Sequence, residues 1–147
     1  DFVRDIMNEM GQINFWRINL RPGKPLAFGN LQGVPFFGLP GNPVSAIVTF
    51  EVLVRPALLA MGGRQTIERS VRAILTEDMT SDGRRSYLRV QLRQSDEGWM
   101  ASSTGTQSSG ALISLVMADG LLIIPEGVHS VKAGTVMDVQ LIKPLNS

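Results

Sequence analysis

The chain has 147 residues, 44% hydrophobic and 18% charged, with 15 Gly, 8 Pro and no Cys. That composition excludes a disordered tail, a collagen-like repeat and a disulfide-stapled miniprotein. Fourteen Lys and Arg stand against 13 Asp and Glu, so a net charge of +1 gives no drive for bulk nucleic-acid or anionic-membrane binding, and any bound anion must be held locally.

Without cysteine, thiolate zinc sites, iron–sulfur clusters and cysteine nucleophiles drop out, and the single His129 argues against a histidine-based metal site. An intracellular protein is expected. The longest apolar stretches, such as 47–59, are interrupted by Thr49, Glu51 and Arg55 and fall short of the roughly 20 residues of a membrane span. The N-terminus, Asp-Phe-Val-Arg-Asp, has no basic-then-apolar signal pattern, and the chain reads as part of a longer one.

In chain order, Phe2, Ile6, Met7 and Met10 recur at helical spacing, with Gly11 as a C-cap signal. Residues 13–20 alternate as a strand apolar on most of both faces, which predicts a position inside a sheet. Arg21-Pro22-Gly23-Lys24-Pro25 breaks it. A short strand over 26–29, a turn over 30–33 and a buried strand over 34–39 follow, and Pro40-Gly41-Asn42-Pro43 turns the chain. From Pro43 to Met61 the apolar residues cover nearly the whole helical circumference, which predicts a buried helix, and Pro56 should kink or restart it. The elements of 1–63 read as part of an α/β layer domain, and Gly62-Gly63 as its boundary.

Residues 64–147 read as short strands at 70–76, 87–94, 99–102, 120–124 and 136–142 with a helical turn or two over 111–117, a small all-β barrel or sandwich. Seven arginines against four acids fall within 64–93, and two basic residues against five acids within 94–147. An arginine-rich face is expected.

The chemistry-bearing segments lie in the first unit. In Gly38-Leu39-Pro40-Gly41-Asn42-Pro43-Val44-Ser45, Asn42 is an N-cap candidate and Pro43 suits the first helical position. Free first-turn amides and the helix dipole favour an anion there, with Gly41 allowing close approach and Ser45 adding a hydroxyl. The bland alternative is that Asn-Pro only caps a helix, and the segment alone leaves both open. If the sheet is parallel, Arg21 and Lys24 reach the same rim, stiffened by Pro22 and Pro25, as two cations facing one oxyanion. Elsewhere the bland reading prevails. Asp82-Gly83-Arg84-Arg85 reads as a hairpin turn with solvated arginines, His129 as a surface residue, residues 102–110 as a flexible polar loop, Trp16 and Trp99 as core, and Asp5, Glu9 and Glu51 as solvated helix carboxylates.

Taken together, Arg21-Pro-Gly-Lys-Pro-Leu-Ala-Phe-Gly29, then Gly38-Leu-Pro-Gly-Asn-Pro-Val-Ser45, and a helix ending Val54-Arg-Pro56 resemble the C-terminal half of the molybdopterin molybdenumtransferases, the MoeA/gephyrin E-domain family. Gly83-Arg84 with Arg89, Ala118-Asp-Gly-Leu121, Pro125-Glu-Gly127 and Ala133-Gly134 extend the resemblance over nearly the whole chain. It implies an enzyme of molybdenum cofactor biosynthesis that inserts molybdate into adenylylated molybdopterin and releases AMP with Mg²⁺. It further implies a cytoplasmic homodimer working with the molybdopterin adenylyltransferase, with no nucleic-acid or membrane partner. Residues 1–63 then correspond to the second half of the molybdopterin-binding α/β domain and 64–147 to the C-terminal β-barrel domain. By the match Arg21, Lys24 and Ser45 are catalytic, and Asp1, Pro25, Gly41, Asn42 and Arg84 bind substrate or molybdate. Arg21 stands where many relatives carry Lys. The family's Gly-rich pterin loop and its acidic metal-binding residues are absent from this sequence, so no metal ligand is assigned here and the chain alone is expected to be inactive. A gephyrin-like module that docks partner peptides is the alternative; it calls for an exposed apolar and aromatic groove on 64–147.

Overall fold

The computed structural model describes residues 2–23, 25–65, 69–107 and 111–145. Helix α1 (Phe2–Met10) leads into strands β1 (Gln12–Arg17), β2 (Leu20–Arg21), β3 (Pro25–Leu31) and β4 (Val34–Gly38). Strands β1, β3 and β4 form a three-stranded sheet in which both pairings are antiparallel, so the parallel-sheet condition for a rim shared by Arg21, Lys24 and the 39–43 turn is not met by these strands. The reason is local. β3 and β4 meet at Leu31↔Val34, and a two-residue loop with both Gln32 and Gly33 at positive φ is the hairpin turn whose twist matches antiparallel strands. The Gly33 amide donates to Asn30 Oδ1 at 2.6 Å, fixing the turn. β1 pairs only with β3 among the described residues, so it lies at an edge and not inside the sheet. β4 is not buried either, for Val34 is 64% exposed. Gly11 serves close packing, since a Cβ there would lie 2.4 Å from the Asn30 carbonyl.

Helix α2 (Pro43–Thr49) runs through a π-helical turn, Phe50–Val54, into α3 (Arg55–Met61). The Arg55 amide reaches back five residues to the Phe50 carbonyl. The wider turn takes up the missing N–H and ring of Pro56 without breaking the helix. The helix is therefore continuous for 19 residues and, contrary to the sequence reading, long and apolar enough by length and composition to cross a membrane. It is not buried all round. Val44, Ser45, Val48, Thr49 and Val54 are buried while Ile47, Leu58 and Met61 are exposed, because the strands and helix packed against it cover one side only. A cavity of about 450 Å³ opens between Leu26, Phe28 and Phe37 on the sheet and Leu53, Ala57 and Met61 on the helix.

Beyond the helix end at Gly62–Gly63, where amides 62, 63 and 64 bond back to the last carbonyls, the chain forms β5 (Ser70–Leu75), β6 (Met79–Thr80), β7 (Arg85–Ser95), β8 (Gly98–Ser103), α4 (Leu112–Met117), β9 (Gly120–Ile124), β10 (Ser130–Val131) and β11 (Val136–Leu141). The order β7-β8-β5-β11-β9, with β9 pairing back onto β7, closes a five-stranded barrel. Leu75, Leu88, Val90, Leu122, Ile124 and Val139 belong to its apolar core, as the two-residue period of strands requires. β7 and β9 are covered on their outer faces as well. Tyr87 and Leu121 pack against Val44 and Val48 of α2 and Leu115 of α4, which is why Leu121-Leu122-Ile123-Ile124 is apolar without alternation. Trp99 is half-buried against the barrel core; the side chain of Trp16 lies outside the described set.

Candidate oxyanion site at the seam of helix and barrel

Three elements converge where α2 meets the barrel. β2 pairs in parallel with the start of β7, Leu20 beside Arg85 and Arg21 beside Ser86, and this register puts Arg21 next to the turn 81–84 that precedes β7. Gly23 sits so close to α2 that a Cβ would lie 2.6 Å from Thr49 Oγ1 and 3.9 Å from the Ser45 carbonyl. The segment 21–23 is thus pressed between helix and barrel, and its Arg21–Pro22 peptide bond is cis. Lys24 and Asp1, expected in the site, lie outside the described residues, as do Ser108, Ser109 and Gly110 of the polar loop. Pro25 opens β3.

The turn at Asp82–Arg84 departs from the sequence reading of solvated arginines. Arg84 Nε donates to both Asp82 oxygens at 3.1 and 2.9 Å, Nη2 donates to Oδ2 at 2.6 Å, and Nη1 donates to the Leu20 carbonyl at 3.3 Å. The Arg84 side chain keeps 25% exposure and that of Asp82 42%. The guanidinium hydrogen bonds hold the Asp82 carboxyl down to about 2, with Arg21 adding to the lowering, so Asp82 is ionised across the neutral range. Below the turn, the Ser81 and Ser86 hydroxyls share a buried 2.7 Å hydrogen bond and Ser81 Oγ also bonds the Arg84 carbonyl. The His129 ring covers Gly83 at a distance that leaves no room for a Cβ. His129 is exposed, as expected, but it also braces the turn.

At the helix N-terminus Asn42 caps α2: its Oδ1 accepts from the amides of Val44 at 3.1 Å and Ser45 at 3.3 Å, and the Asn42 carbonyl accepts from Ala46. The first-turn amides expected to be free for an anion are therefore engaged, since Pro43 has none. Only the dipole remains to favour negative charge there. Gly41 is exposed, whereas Ser45 is buried at 7% exposure. Asn42→Ala is expected to cost about 1 kcal/mol of stability by denaturant titration; a loss below about 0.3 kcal/mol would show the cap to be dispensable.

Arg89, seen in the sequence only as part of a motif, is 1% exposed on the outer face of β7. Burial pushes its guanidinium below the ordinary arginine range, and the like charge of Arg21 adds to this. Its Nε donates to Ser114 Oγ. Its backbone holds the polar loop: the Arg89 amide donates to Gln107 Oε1 at 2.8 Å, and its carbonyl accepts from Gln107 Nε2 at 3.0 Å and from Thr104 Oγ1 at 3.3 Å. The loop predicted to be flexible is thus tied to the barrel at 104 and 107. No single-sequence signal marked Gln107, because the pairing depends on a fold-distant strand.

Residues 1–60 match the family profile described as a probable molybdopterin binding domain, and residues 72–142 that of the MoeA C-terminal region, domain IV. The chain belongs to the MoeA family. It is 39% identical over 95% of its length to molybdopterin molybdenumtransferase 1 of Mycobacterium tuberculosis, and 33% identical over 95% to the molybdopterin molybdenumtransferase of Haemophilus influenzae. A crystal structure of the molybdopterin biosynthesis MoeA protein from Pyrococcus horikoshii superimposes with a TM-score of 0.78 at 35% identity, covering 97% of this chain and 35% of that one. The chain spans about a third, 35% and 36%, of these two curated MoeA relatives. The barrel and the family of the sequence reading agree with these likenesses.

Proposed function

We propose that the whole protein is a molybdopterin molybdenumtransferase, inserting molybdate into adenylylated molybdopterin with release of AMP. In this reading residues 1–63 are part of the molybdopterin-binding α/β domain and 64–147 the C-terminal barrel domain of a cytoplasmic homodimer that takes its substrate from the molybdopterin adenylyltransferase. The observation that supports it is the β2–β7 pairing, which sets Arg21 beside the Arg84 turn and so gathers two cations from distant parts of a nearly neutral chain. Molybdate and the pterin phosphates are oxyanions, and planar guanidinium forks suit them.

In this reading Arg21, Lys24 and Ser45 are the catalytic residues, acting as the phosphoanhydride of the adenylate is cleaved, and Arg84, Gly41, Asn42, Pro25 and Asp1 bind substrate or molybdate around them. Catalysis of this kind is electrostatic and positional. Mg²⁺ does not find a fit in the described residues, where no three Asp, Glu or His side chains come together and Asp82 is engaged by Arg84.

The docking-module alternative finds less support. The exposed large apolar side chains described on the barrel half are Leu112, Ile113, Val116, Met117 and Val136, with no aromatic among them, and the apolar cavity is lined by 26–61 instead. Titrating molybdate and molybdopterin against the full-length protein and its Arg21→Ala, Lys24→Ala double variant tests the enzyme reading. Affinity should fall ~10- to 100-fold, as expected for removing charged hydrogen bonds. Unchanged affinity would overturn the site.

A further inference from the structure

The cation expected to receive substrate already holds an anion. Asp82 takes two nitrogens of the Arg84 fork through three side-chain hydrogen bonds, and the Leu20 carbonyl takes a third. An incoming oxyanion therefore meets an Arg84 whose Nε–Nη2 edge, the one suited to a bidentate anion, is already occupied, with one N–H left on each of Nη1 and Nη2.

The turn cannot relieve this by moving as a unit. Its backbone is fixed on both sides: Ser81 donates its amide to the His129 carbonyl, Gly127 donates to the Gly83 carbonyl, and the His129 ring closes the space over Gly83. The side chains are different. Both are partly exposed, so rotation of Asp82 away from the guanidinium is open, and the freed carboxylate is readily hydrated. Exchange of one carboxylate for another anion keeps the partly exposed guanidinium paired throughout and costs little in desolvation.

We propose that Asp82 is the resident anion of this site, holding the Arg84 fork in the absence of substrate and giving it up to the incoming oxyanion, so that Asp82 sets the affinity and charge selectivity of the site. The proposal rests on the oxyanion-site reading above. Arg21, Arg84 and Asp82 together carry +1; once Asp82 has swung aside it still stands near the ligand. Its repulsion grows with ligand charge, so it weakens a dianion about twice as much, in free energy, as a monoanion of the same shape. A site so arranged exchanges its ligand readily and does not trap every tetrahedral dianion.

The test uses the full-length protein with two tetrahedral probes, molybdate as dianion and perrhenate as monoanion, titrated by calorimetry at low salt. Asp82→Asn keeps an oxygen for the Arg84 amide, which now bonds Asp82 Oδ1 at 3.1 Å, so the turn is retained. Asp82→Asn should bind molybdate about 10-fold tighter and perrhenate about 5-fold tighter, the shared part of the gain coming from the freed fork and the difference from lost repulsion. In the Arg84→Ala background the same substitution should gain only about 3-fold for molybdate, because the through-space repulsion alone is left. Unchanged or weaker molybdate binding by Asp82→Asn overturns the proposal, as does a gain that survives undiminished without Arg84, because Asp82 would then act only as a nearby charge and not through the fork. If Arg21→Ala and Arg84→Ala leave wild-type molybdate affinity untouched, the site reading itself fails and this inference falls with it. If those variants lose affinity while Asp82→Asn gains none, only the inference fails.

Discussion

Arg89→Ala is expected to destabilise the protein by roughly 3 kcal/mol, through the cavity left by a large buried side chain and the lost bond to Ser114, whereas Arg89→Met should recover at least half of that. Arg89 is 1% exposed, beside the like charge of Arg21. Its shape fills the space between β7 and α4, while its charge is costly to bury. Ser114 Oγ keeps its bond to the Ala111 carbonyl when Arg89 is gone, so an apolar replacement orphans no hydroxyl there. Urea titration of the two variants separates shape from charge. Equal losses for Ala and Met would mean that the guanidinium itself holds the seam together.

The second large effect is expected inside the barrel. Leu122 is fully buried and opposes Leu88 on one side and Val139 on the other. Leu122→Ala should cost about 3–4 kcal/mol, the transfer term plus the cavity a closed barrel cannot collapse to fill. Val136→Ala, at a position 43% exposed, should stay within about 0.5 kcal/mol. Denaturant midpoints measured side by side decide it, and similar shifts for the two would refute a packed interior.

The barrel half was the more legible part of the fold. Strands at 70–76, 87–94, 99–102, 120–124 and 136–142 were readable because short apolar runs alternate with Gly-bearing turns such as Asp96-Glu97-Gly98. The structure bounds them as β5, β7, β8, β9 and β11. The two-residue strands β6 and β10 are not legible in the sequence, since two residues carry no periodicity. In the first half the helices and the strands at 13–20, 26–29 and 34–39 are readable, matching β1, β3 and β4, while their pairing is not. Strand direction depends on pairing, and only the type of the Gln32-Gly33 turn signals an antiparallel hairpin.

The site divides the same way. Arg21, Lys24 and Asn42 could be singled out because Pro, Gly and Asn around them dictate local backbone, and Asn42 indeed caps α2. That it exhausts the first-turn amides was implicit in Asn-Pro, where one amide is missing and the next two are within reach of one side chain. Asp82 carries no signal of its own in the sequence, because Asp-Gly-Arg at a turn is ordinarily solvated.

By itself the sequence determined the element types, the family and the absence of cysteine chemistry, because propensity, capping and motif spacing act within a few residues. Tertiary structure alone decided which cations meet. Arg21 and Arg84 lie 63 positions apart and come together through two residue pairs of parallel strand. Whether Arg84 faces water, a carboxylate or a substrate depends on that register and on the clamp of His129 over Gly83. These are contacts between distant segments, fixed by packing and hydrogen-bond closure, and no local pattern encodes them.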